Sequence, residues 1–71
     1  MQATFEVEDH ESKVREVLVS TDPNADWGDG KKGFVEVEVS PINGKALCVL
    51  LLRKSEARAI ASALMGAAAE L

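Results

Sequence analysis

The chain predicts an α+β domain: a four-stranded antiparallel sheet of two β-hairpins, closed by one C-terminal helix (ββββα). Three observations carry that expectation. Two segments alternate apolar and polar residues with a period of two, the sequence Pro41-Ile42-Asn43-Gly44 marks a tight turn, and the last third changes to helical spacing. At 71 residues the chain is long enough for one domain and too short for a multi-loop enzyme fold.

The first strand is read over 4–8, where Phe5 and Val7 share one face and Thr4, Glu6 and Glu8 the other. The polar cluster Asp9-His10-Glu11-Ser12 is of turn length, and the β-rich run from Lys13 to Ser20 completes a hairpin. A second alternation over 33–40 places Val35, Val37 and Val39 opposite Phe34, Glu36, Glu38 and Ser40. Asn43-Gly44 is a strong turn signal because both residues tolerate positive φ. The run from Lys45 to Leu52 is apolar on both faces and predicts a central strand. Ser55 is the expected N-cap, and Glu56 suits the positive end of the helix dipole. Ala57, Ile60, Ala61, Leu64, Ala68 and Leu71 then form the stripe expected to cover the sheet. Seven alanines beyond Ser55 add helix propensity.

Two apolar surfaces are left over. One helix covers one face of a sheet, yet the last strand offers Leu47, Val49 and Leu51 on a second face. The helix is uncharged between Arg58 and Glu70, and opposite its core stripe stand Ala59, Ser62, Ala63 and Gly66. Small residues at this spacing permit close backbone approach by another helix. Together they predict an oligomer interface and a homodimer or a higher symmetric oligomer, which would also help so small a domain to be stable.

Composition excludes several functions. The net charge is −4, and the basic residues come as small groups separated by acids, which disfavours nucleic-acid binding. The single cysteine, Cys48, reads as a small buried hydrophobe, with the only histidine, His10, in another segment. With no phosphate loop, nucleophile elbow or converging acid–base pair, no catalytic residues are assigned, and neither a cofactor nor a metal site is expected. The N-terminus lacks the basic and apolar regions of a signal peptide and no segment has the length of a membrane span, so a cytoplasmic location is expected.

The stretch from Thr21 to Lys32 reads as a long connecting loop and is the candidate partner-binding segment, with Asp22, Asn24, Asp26, Trp27 and Asp29 as its contact residues. Tryptophan is frequent among binding hot spots; its other role here would be as a lid over the end of the sheet. Asp22, Asn24 and Asp26 have the spacing of the first calcium ligands of an EF-hand loop. Trp27 stands in place of the turn glycine, however, and Gly33 in place of the closing glutamate. A third feature is the acidic face of Glu6, Glu8, Glu36 and Glu38, which lines up if the hairpins pair through their first strands.

The tail from Leu51 to Leu71, a strand followed by a Ser-Glu-Ala helix start and an Ala/Leu helix, resembles the ending of many short proteins of actinobacteria and their phages. The resemblance implies a small cytoplasmic accessory protein, phage-encoded and acting on a host protein. The expected function is a non-enzymatic protein-binding module that self-associates through its helix and last strand. The alternatives are an acidic inhibitor or nucleic-acid mimic using the glutamate face, and a cation-binding module using the Asp-rich loop.

Overall fold

The computed structural model describes all residues from Met1 to Leu71. Its elements are β1 (Gln2–Glu8), β2 (Val14–Asp26), β3 (Lys32–Pro41), β4 (Cys48–Leu52) and α1 (Lys54–Ala69). The strands form one antiparallel meander in the order β1-β2-β3-β4, followed by the helix, which is the ββββα architecture expected from the alternation.

The turns follow local chemistry. Between β1 and β2, the Asp9 carboxylate accepts hydrogen bonds from the backbone N–H groups of Glu11 and Lys13 at 2.8 and 3.0 Å. Its other oxygen accepts from Arg15 Nε at 3.0 Å. These bonds, first that from Lys13, hold the Asp9 carboxyl below the usual carboxylate range. Between β3 and β4, Gly44 N–H donates to the Pro41 carbonyl at 3.1 Å. Only Asn43 of the Asn-Gly pair takes the left-handed conformation, at φ 58°. Gly44 is needed for another reason: a Cβ there would run into the Pro41 ring.

Two strands differ from the sequence expectation. β2 continues to Asp26, with an irregularity between Asp22 and Asp26, so most of the expected loop is strand and only the segment 27–31 turns. β4 begins at Cys48 and lies at the edge of the sheet. An all-apolar run does not distinguish a central strand from an edge strand that awaits cover. The helix also starts earlier than expected. Its N-cap is Arg53, not Ser55, and the Arg53 N–H donates to Glu56 Oε1 at 2.8 Å, so Glu56 supplies the cap from within the first turn.

The register sorts the side chains into two faces. Phe5, Val17, Val39 and Cys48 lie in one row across the four strands, and Ala3, Val19, Val37 and Leu50 in the next. Thr21, Val35 and Leu52 extend that apolar face. The opposite face carries Glu6, Glu16, Glu36 and Glu38, with Leu18, Val49 and Leu51 among them.

Neither face is closed, and no residue of the chain is fully buried. The helix meets only β3 and β4, and Ala57 is its single half-buried residue. The stripe expected to form a core is therefore open in a single chain, with Leu64 66% exposed. On the apolar sheet face Phe5 is 55% and Leu50 46% exposed. Cys48, expected to be buried, is exposed for the same reason: it lies on the edge strand of an uncovered face.

Candidate functional site

The best-defined side-chain arrangement is at the end of the sheet where the β2–β3 turn meets the start of α1. The turn is built from aspartates that accept their own downstream N–H groups. Asp22 accepts from Asn24 at 3.0 Å, Asp26 from Gly28 at 2.8 Å and Asp29 from Lys31 at 3.0 Å. Gly28 and Gly30, at φ 82° and 83°, supply the left-handed positions between them.

Trp27 clasps this turn to the helix. Its Nε1 donates to the Gly33 carbonyl at 2.8 Å, and its ring meets Phe34 edge-on at 6.0 Å between centroids. The Arg53 guanidinium lies over the indole face at 4.5 Å and pairs with Asp29 through a 2.8 Å bond. The Asp29 carboxyl is held below the usual carboxylate range, first by the Lys31 N–H and then by Arg53. Of the two roles open to Trp27, this geometry is the structural one, a lid over the end of the sheet.

Beside the clasp lies an open cleft of about 320 Å³. Trp27 and Gly33 form part of its wall, and Lys31, Lys32, Arg53, Lys54 and Arg58 surround it. Five of the eight basic residues of an acidic chain meet here, and no carboxylate lines the cleft. A second opening of about 570 Å³ continues it between Lys54, Ala57 and Arg58 on the helix and Thr21, Phe34 and Val35 on the sheet. Arg53 is committed to Asp29 and Trp27, whereas Lys31, Lys32, Lys54 and Arg58 form no ion pair within the chain. Sequence reasoning missed this cluster because it took Lys31 and Lys32 as one small group and Arg53, Lys54 and Arg58 as another, separated by acids. The signal available was that the turn and the helix start fall at the same end of a meander.

The other candidates are placed as follows. Asp22, Asn24 and Asp26 line the end of β2, with two carboxylates engaged by backbone, and no group of three metal-ligating side chains converges anywhere in the chain. Ala59, Ser62, Ala63 and Gly66 are exposed along α1, and an added Cβ at Gly66 would meet nothing within 4 Å. Leu47 is 61% exposed, and Val49 and Leu51 lie opposite Glu38 and Glu36 on the acidic face. The more apolar face takes the alternate set, Cys48, Leu50 and Leu52. The hairpins pair through β2 and β3, so β2 separates Glu6 and Glu8 from Glu36 and Glu38, and the expected lining up through the first strands does not occur.

No helix is long and apolar enough to cross a membrane. No family model, curated protein or solved structure matches the chain. The functional reading therefore rests on geometry and chemistry.

Proposed function

We propose that the protein is a small, non-enzymatic protein-binding module that works as a homodimer, associating through its helix, its last strand and the apolar sheet face. One observation carries the reading. A folded chain of 7.6 kDa is expected to expose about 4,300 Å². This chain exposes 5579 Å², an excess of roughly 1,300 Å², with no residue buried. A standard interface removes about 800 Å² from each partner, and obligate homodimers remove more. The excess is thus of the size that a second copy would cover.

The clasped turn supports the other half of the reading. It is rigidly held against the helix and leaves a cleft open to solvent, as a partner-binding surface on a dimeric scaffold requires. A cytoplasmic accessory role, as a phage product acting on a host protein, is the biological setting we favour. The acidic-mimic alternative is weakened by Leu18, Val49 and Leu51, which interrupt the glutamates on their face.

Sedimentation velocity tests the proposal. The expected mass is twice 7.6 kDa across a wide dilution series, falling to that of one chain in a Leu50→Glu/Leu64→Glu variant. A chain that sediments as a folded monomer throughout would overturn it.

A further inference from the structure

We propose that the basic cleft between the β2–β3 turn and the first two turns of α1 binds a short acidic segment of a partner protein. The inference rests on the protein-binding reading above and names the chemistry of the partner. Lys31, Lys32, Lys54 and Arg58 are cations without an intramolecular partner, gathered around one opening in a chain of twelve acids and eight bases. Like charges held together in this way repel one another, and their mutual repulsion is relieved when an anion enters. The cleft therefore has a charge complement, and that complement is negative.

Its walls narrow the choice further. The adjoining opening is flanked by Pro23, Phe34, Val35 and Ala57, so a ligand that lays carboxylates against the lysines can also bury an apolar side chain. A nucleic-acid strand fits less well. Trp27, the aromatic residue in the wall of the cleft, has its Nε1 bonded to Gly33, one face covered by Arg53 and a ring contact with Phe34. It is not presented as a free stacking platform of the kind that single-strand binders use. Beyond the cleft the chain is acidic, which would repel a polyanion longer than the site itself. A short acidic segment of a protein avoids both penalties.

The experiment is fluorescence anisotropy on the full chain. A short fluorescein-labelled peptide of alternating glutamate and leucine is the probe, with oligothymidylate of the same length as the competing anion. The peptide is expected to bind, and Lys32→Glu/Arg58→Glu is expected to weaken it by about tenfold or more, since two cations are reversed at the point of contact. Lys45→Glu, a charge reversal outside the cleft, is expected to change it less than about twofold. Raising salt from about 0.05 M to about 0.3 M is expected to weaken binding.

Three outcomes overturn the proposal: no binding of the peptide, equal effects of the cleft and control reversals, or tighter binding of oligothymidylate at the same residues. Far-UV circular dichroism checks that each variant is folded. Sedimentation reports the dimer independently of the cleft. A chain that fails the peptide test and still dimerises loses the acidic-segment site alone, whereas a folded monomer loses the dimeric-module reading.

Discussion

The two ends of this molecule are finished to different degrees. At the turn between β2 and β3, the Trp27 indole, the Arg53 guanidinium and the Asp29 carboxylate are partnered within one chain. Along α1 and β4, Val49, Leu50, Ile60, Leu64 and Met65 face solvent, and Ala57 alone ties the helix to the sheet by more than marginal burial. Polar closure is a local matter: it needs a few side chains within hydrogen-bonding reach. Apolar closure needs two layers, and sixteen helical residues docked by their first turn do not provide a second layer for a four-stranded sheet.

The comparison can be broken most severely from the open side. Leu50→Glu/Leu64→Glu places charge on both uncovered surfaces. It is expected to convert the proposed dimer to single chains and to abolish the cooperative thermal transition, as read by sedimentation and circular dichroism. If the unaltered protein is the proposed dimer, its Tm should fall with dilution, because each unfolding event then also separates two chains.

A smaller effect is expected at the clasp. Trp27→Ala removes a half-buried ring together with its bond to Gly33 and the platform under Arg53. The cost in urea unfolding should be about 2 kcal/mol, below the 3–5 kcal/mol typical of a fully buried aromatic, with the sedimenting mass unchanged. Trp27→Phe keeps a face for Arg53 and loses the hydrogen bond, for about 1 kcal/mol. Gly44→Ala sharpens the comparison at a turn that belongs to neither end. Its Cβ must displace the Pro41 ring, and a loss of about 1 kcal/mol is expected.

The mildest perturbation is acid. The Asp29 carboxyl has a lower pKa folded than unfolded, so its contribution is complete above the ordinary carboxylate range near pH 4. That contribution is lost as pH falls through the depressed folded value. Trp27 fluorescence should report the clasp loosening below about pH 4, and Asp29→Asn should remove that part of the titration.

These contrasts track what was legible in the sequence. Alternation placed β1 and β3, Pro41–Gly44 placed the turn between β3 and β4, and the alanine-rich period placed α1, because each signal is local. The position of β4 was not legible. Continuous apolarity says that both faces want cover and does not say whether neighbouring strands or a second molecule provides it. β2 ran past Ser20 because Asp22 and Asp26, read as loop formers, make their turn bonds within an irregular strand. Ser55 gave way to Arg53 as the N-cap because Glu56 reaches back to the Arg53 N–H. The basic cleft joins residues more than twenty positions apart, a juxtaposition that only strand order creates.

The absence of any buried residue bears on how such a chain comes into being. When a second copy supplies the missing layer, collapse and encounter become one event, and the rate of reaching the native state scales with the amount of protein already made. The first chains synthesised would wait longest with their valine and leucine rows bare, open to proteases and to stray strand pairing along the β4 edge. Abundance would then be governed by a threshold: below it the chains turn over, and above it they accumulate in pairs.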